Sequence, residues 1–283
     1  MSAESAIRNV ADTALWMASI RAVESDRHDA VFHDPLAAML AGERGRAIVG
    51  SMPGSAAVTW TVIVRTTAID RLIETALHGG VDMVINLGAG MDTRPYRMDL
   101  PSHIRWIEID SPAIVEMKNA HLQGHTAACS VERVGLDLSD APSRRKLFAR
   151  YGAASKRVLL IAEGLIPYFS AIDVASLVND VFAIPSFCCW ILDFDNAGIR
   201  RTPRSWSARL KAAPFLFEVK DWFHFFDHLG WAPQTVITSA EESERINRPF
   251  PFSFPRGLIM HMLPADMRRK VLSASGAVLL ARR

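Results

Sequence analysis

Charge of one sign is what this chain of 283 residues lacks most plainly: 32 basic against 30 acidic residues leave a formal charge of +2. No global field is present to gather nucleic acid or an anionic membrane, so neither is expected as a partner. The basic clusters Arg144-Arg145-Lys146 and Arg268-Arg269-Lys270 fall in helix-like stretches and read as solvated faces. Cysteine is scarce. Its three copies form no disulfide framework and no zinc motif, and the adjacent Cys188 and Cys189 of "FCCWILDF" read as small buried hydrophobes. His224 and His228, four apart in "WFHFFDH", want a third ligand, so no metal is expected. No apolar run reaches the roughly 18 residues of a membrane span, and "MSAESAIRNVADTALWM" lacks the basic head and apolar core of a leader, which predicts a soluble, cytoplasmic protein. Repeats and low-complexity tracts are absent too.

What is there is a large apolar complement, 49% of the chain, enough for one elaborated α/β domain. Residues 66–80 carry Ile69, Leu72, Ile73 and Leu77 at helical spacing and end on Gly79-Gly80, predicting a helix. Apolar runs at 81–87, 104–109, 158–162 and 188–194 predict strands buried on both faces, and a further strand leads into "GLDLSD". Helical patterns at 111–122, 143–151 and 171–182 separate them. The alternation predicts a doubly wound, mostly parallel sheet, with "APQTVIT" and "GAVLLARR" pairing at its edge. One domain over 1–283 is expected, with a helical cover at 1–60, a cover insertion at 195–234 and an insertion at 239–274 before the last strand.

In such sheets ligands bind beyond the carboxyl ends of the strands. The segments there are "GAGMDTR", "EIDSP", "GLDLSD", "AEGLIPY" and "DFDNAG", rich in carboxylates that suit a ligand with hydroxyl and amine donors. Gly88-Ala89-Gly90-Met91-Asp92-Thr93 begins like a dinucleotide fingerprint, and Asp110 lies about twenty positions on, but Thr93 stands where a third glycine would let a helix press on the strand. A nicotinamide enzyme therefore stays open as a rival.

"INLGAGMDTRPYR", "EIDSP", "GLDL" and "AEGLIPY", in that order, resemble the leucine carboxyl methyltransferase family, and with "RAVESDRHDAVFHDPLA" its bacterial branch of polyketide-type O-methyltransferases. The resemblance implies a Rossmann-like class I methyltransferase fold with a helical cover and an antiparallel edge strand, and S-adenosylmethionine as cofactor. It assigns Gly88 and Gly90 to the loop against the methionine moiety and Asp110 to the ribose diol, with Glu108 on the same strand face as the competing choice. Asp137 and Leu138 match an adenine contact, although Asp137 is also placed to cap the next helix. Glu163 matches a contact near the methionine end, where an ammonium pairs with it. Arg65 matches the basic residue aimed at the methionine carboxylate; its alternative is a surface arginine at a helix start. Ile166-Pro167 ahead of Tyr168 departs from the family pattern.

Both protein C-terminal carboxylates and small-molecule oxygens are substrates in that family. A small aromatic, acidic acceptor is expected here because the closing segments hold Trp206, Phe215, Phe217, Trp222, Phe250, Phe252 and Phe254, with Arg200, Arg201 and Arg204 to attract an anion. Protein carboxyl methylation, and cofactor binding without methyl transfer, are the alternatives. Tyr168, His33 and His261 are polar candidates near cover segments, but no residue is named as a catalytic base, and oligomeric state is left open.

Overall fold

A computed structural model describes residues 7–52, 55–196, 214–251 and 264–283. The chain opens with three helices, α1 (Val10–Ser25), α2 (Ala37–Ser51) and α3 (Ser55–His78). The alternating region comes next: β1 (Met83–Leu87), a single turn α4 (Arg94–Arg97), β2 (Arg105–Asp110), α5 (Pro112–Leu122), β3 (Ser130–Gly135), α6 (Ala141–Ala153), β4 (Val158–Ala162), α7 (Ala171–Phe182) and β5 (Phe187–Asp195). It closes with α8 (Trp222–His228), β6 (Trp231–Thr238), α9 (Ser239–Arg245), α10 (Ala265–Leu272) and β7 (Ser275–Arg282).

The seven strands form one sheet in the order β3-β2-β1-β4-β5-β7-β6, mostly parallel with one antiparallel edge. The doubly wound α/β class is thus the observed one. β1 pairs in parallel with β2 (Ile85↔Ile107) and with β4 (Ile85↔Leu160). Chain order reverses between β1 and β4, the place where such sheets open a crevice at their carboxyl edge. β1 and β4 are buried at every residue, which is why they read as continuous apolar runs. β3, "SVERVG", is an edge strand with exposed ends, so it presents no such run.

Two compact units can be distinguished. One comprises Met1–Arg71, Asp193–Ala213 and Val236–Val278; the other comprises Leu72–Leu192, Pro214–Thr235 and Leu279–Arg283. In the first, Trp60, Ile63, Val64 and Ile246 form a buried cluster that Phe250 joins edge-to-face with Trp60 at 4.8 Å. In the second, Trp190, Phe226 and Trp231 pack as perpendicular rings 5.8 to 6.1 Å apart.

Three expectations need correction. The helix expected at 66–80 begins at Ser55, because the stretch ahead of it carries no breaker once Pro53-Gly54 is passed. Arg144 is not on a solvated face: it is 2% exposed, pairs with Asp180 at 2.5 Å and donates to Ser176 Oγ. Arg145 and Lys146 keep the solvated character, since a helix turns successive residues to different sides. Cys188 is half-buried rather than a core hydrophobe, while Cys189 is buried. No helix among the described residues is long and apolar enough to cross a membrane.

Candidate functional site

The segments after β1, β2, β3 and β4 meet along the carboxyl edge of the sheet. Gly88 and Gly90 come after β1 with φ of +66° and +46°, the left-handed region that glycine enters without steric cost. The turn they form is sewn to β2. Gly88 and Ala89 donate their N–H groups to Ile109 O, at 2.8 and 3.3 Å, and Gly90 donates to Asp110 Oδ2 at 2.7 Å.

This stitching decides between the two glycine-loop readings. A dinucleotide site needs loop amides aimed at a pyrophosphate from the start of a helix. Here three successive amides are spent on β2, and the helix after the loop is one turn long. The arrangement leaves acceptors, not donors, at the strand ends.

Asp110 ends β2 and accepts from the Gly90 and Ser111 amides, one on each oxygen, both at 2.7 Å. Burial nevertheless outweighs those two bonds and raises its carboxyl above the ordinary carboxylate value. A desolvated carboxylate of this kind gains from any further donor, such as a vicinal diol. Glu108, the competing choice, is committed elsewhere: it is 1% exposed, and its Oε2 lies 2.8 Å from both Lys118 Nζ and Arg133 Nε.

Asp137 is exposed beyond β3, and its Oδ1 accepts from the amide and hydroxyl of Ser139 at 2.9 and 2.7 Å. The cap of α6 is Asp140, which accepts from Ser143 N, so the capping alternative for Asp137 falls away. Leu138 is buried, with its carbonyl held by Arg144 Nη1 at 2.5 Å.

Glu163 lies just past β4. Its Oε2 sits 2.9 Å from Arg94 Nη1, and Arg94 also lies 2.9 Å from Asp92 Oδ2, itself bonded by Asn86 Nδ2. Arg94 is the residue that sequence reasoning passed over. Its signal was present in the charges crowded behind the glycines, but only the fold shows that this 2% exposed guanidinium supports the carboxylate after β4. Beyond Glu163, Ile166–Tyr168 forms a short 3-10 helix, the consequence of Pro167, and the Tyr168 ring lies 5.4 Å from Phe215. Leu216 N donates to Pro167 O at 2.7 Å, holding the Phe215 segment on this turn.

Arg65 is neither at a helix start nor on the surface. It stands within α3, 15% exposed, with Nη1 3.2 Å from Asp193 Oδ2 of the same compact unit.

Comparison with known proteins identifies the family. The family model described as leucine carboxyl methyltransferase matches residues 14–182. A Frankia alni protein is 32% identical over 251 residues, which cover 84% of this chain and 87% of its own. The chain belongs to the leucine carboxyl methyltransferase family. A Streptomyces coelicolor relative is 39% identical over 172 residues, covering 55% of this chain and 58% of the relative; both relatives carry provisional names as S-adenosyl-L-methionine-dependent methyltransferases. Two crystal structures share the fold of this leucine carboxyl methyltransferase family member. They are a DUF574 family protein from Streptomyces avermitilis (TM-score 0.57, 15% identity, 94% of this chain and 97% of that one) and a methyltransferase, so named provisionally, from Thermobifida fusca (TM-score 0.58, 11% identity, 98% and 96%). The fold is that of the class I methyltransferases.

The remaining candidates divide. Trp222 is buried and packs on Phe226 at 4.2 Å, which makes it core rather than substrate surface, while Phe250 is half-buried against Trp60. Phe217 meets Phe225 at 5.2 Å, and Phe215 stays 38% exposed. His33 is exposed on the loop between α1 and α2. His224 and His228 face each other on α8 with Nε2 atoms 2.8 Å apart, and no group of three or more His, Cys, Asp or Glu suited to a metal occurs among the described residues. Trp206, Phe252, Phe254, Arg200, Arg201, Arg204 and His261 lie outside the described residues.

Proposed function

We propose that this chain is a cytoplasmic S-adenosylmethionine-dependent O-methyltransferase whose acceptor is a small, aromatic and acidic molecule, a carboxylate or a phenol. It is read here as a member of the polyketide-type branch of its family, working in secondary metabolism. The observation that carries the cofactor half is the row of acceptors at the strand ends, Asp110, Asp137 and Glu163, beside a glycine turn whose own amides are spent. That set suits a phosphate-free cofactor rich in hydroxyl and amine donors.

In this reading the Gly88 and Gly90 turn lets the methionine portion lie close against backbone, and Asp110 accepts from the ribose hydroxyls. Asp137 and the Leu138 amide take the adenine edge. Glu163, supported by Arg94, faces the ammonium; the carboxylate is the role that the family resemblance assigns to Arg65. The bound cofactor supplies an electrophilic methyl group on a sulfonium. The protein's part is to orient the acceptor oxygen and exclude water, and alignment of that kind supplies much of the acceleration. Tyr168 and the exposed Phe215, side by side after β4, offer flat apolar surface for an aromatic acceptor. No general base is assigned: a carboxylate is already ionised at neutral pH, whereas a phenol with a pKa of about 10 gains from one.

The test is to incubate the protein with labelled S-adenosylmethionine and a library of carboxylic and phenolic metabolites, and to identify labelled products by mass spectrometry. A second reading, methylation of a protein's terminal carboxylate, is favoured by the description of the matching family. Label confined to peptides with a free C-terminal carboxylate would establish it and remove the small-molecule reading. Cofactor binding with no labelled product in either panel would favour a role without methyl transfer.

A further inference from the structure

At the amino ends of β4 and β5 the sheet is irregular in a way that the methyltransferase reading does not use. Val158 pairs with Phe187 but Leu159 pairs with Cys189, so Cys188 is the extra residue of a β-bulge. In a regular strand adjacent side chains point to opposite faces. The bulge breaks that alternation and brings the Cys188 and Cys189 sulfurs to 3.7 Å. Both thiols line a cavity of about 270 Å³ together with Thr75, Gln234, Arg157 and Arg282.

The lining carries two positive charges and no acid. Arg282 is fixed by the carbonyls of Phe182 and Ile184 at 2.8 and 2.9 Å. Arg157 is exposed, with no side-chain hydrogen bond or ion pair among the described residues. Asp82, the acid whose field reaches Cys188, is occupied by Ser155 Oγ and by the amides of Lys156 and Arg157. The Cys188 thiol lies in reach of the Cys189 sulfur and of Val158 O at 3.6 Å; the contact with Cys189 brings it down to about 7 against the cost of burial, with Arg157 assisting, while the Cys189 thiol is pushed well up.

We infer that Cys188 is a site of thiol–disulfide exchange with anionic low-molecular-weight disulfides, which Arg157 draws into the cavity. The Cys188 thiolate attacks one sulfur of the disulfide, forming a mixed Cys188 disulfide. The second sulfur leaves with the electron pair of the broken bond as a thiolate and takes up a proton from water. Cys188 is oxidised and the small disulfide is reduced. Cys189 keeps its proton and serves as hydrogen-bond donor to the attacking sulfur.

The experiment measures reaction rates of the full chain with three disulfides: dianionic dithiobis-nitrobenzoate, neutral dithiodipyridine and dicationic cystamine, each normalised to a free model thiol. The fast phase with the dianionic probe should place the label on Cys188 by peptide mass spectrometry and vanish in Cys188→Ser. Arg157→Gln should lower the anion-over-cation preference about fivefold, the worth of one solvent-exposed charge contact, with the neutral probe unaffected, and Arg157→Lys should keep the preference. Cys189→Ala should move the rise of the Cys188 rate to higher pH. Label carried mainly by Cys129, or a fast phase surviving Cys188→Ser, would overturn the site. Anion preference unchanged in Arg157→Gln would overturn the selectivity, and an unshifted pH profile in Cys189→Ala would overturn the role of the pair.

Discussion

Glu108→Gln separates structure from binding on one strand face. Glu108 and Asp110 stand two residues apart on β2, yet the first is 1% exposed between Lys118 and Arg133, at 2.8 Å from each cation. A neutral amide would leave two cations without their counter-charge. Arg133 keeps Asn119 Oδ1 at 3.0 Å and Tyr96 Oη as acceptors, but the Lys118 side chain is 2% exposed and far costlier to strand. Breaking a buried pair from one side costs about 3–5 kcal/mol, a large part of a typical domain's stability. Urea unfolding should show that loss. Adding Lys118→Met removes the stranded charge, so the double variant should be less damaged than the sum of its parts by more than about 1 kcal/mol. In the folded fraction of Glu108→Gln, titration calorimetry should find S-adenosylmethionine affinity within a few-fold of the unaltered protein. A stability loss below about 1 kcal/mol would refute the buried-pair argument. An affinity loss as large as that of Asp110→Ala would make Glu108 the ribose acceptor.

Asp110→Ala should weaken S-adenosylmethionine binding by more than about 1.5 kcal/mol, read by the same calorimetry; unchanged affinity would remove Asp110 from the site. Because burial holds the folded Asp110 carboxyl above its ordinary 3.8, the folded state binds the extra proton between those values. Stability of the ligand-free protein relative to Asp110→Asn should therefore fall as pH rises through that window, and a rise would contradict the stated cause. Gly88→Ala forces a left-handed alanine and brings its Cβ to 2.8 Å from the movable Leu165 Cδ1, so about 1–2 kcal/mol should be lost in thermal unfolding, and no loss would mean the turn relaxes freely. Arg65→Ala should weaken S-adenosylmethionine much more than an analogue lacking the methionine carboxylate; equal losses would make Arg65 a structural residue, as its pairing with Asp193 allows.

Much of the fold was legible because the central strands are buried on both faces. Burial on two sides forces consecutive apolar residues, and so 158–162 was readable to the residue and β1, β2 and β5 nearly so. β3 was marked only by the "GLDLSD" segment at its carboxyl end, since an edge strand with exposed ends needs no apolar run. The start of α3 was missed for a different reason: its first turns sit in a stretch whose apolar spacing does not by itself separate helix from cover.

For the site, the order of motifs determined which residues stand at the strand ends, because connectivity alone carries each loop to the carboxyl edge. Only tertiary structure decided what each carboxylate does there. Asp110 and Glu108 share a face and a charge, and nothing local tells the one bonded to a glycine turn from the one enclosed by Lys118 and Arg133. Likewise Arg94, two residues past Asp92, becomes a support for Glu163 only once β1 and β4 lie side by side. Hydrogen bonds and ion pairs act over about 3 Å, and which groups come that close is set by strand order and register, which sequence spacing does not record.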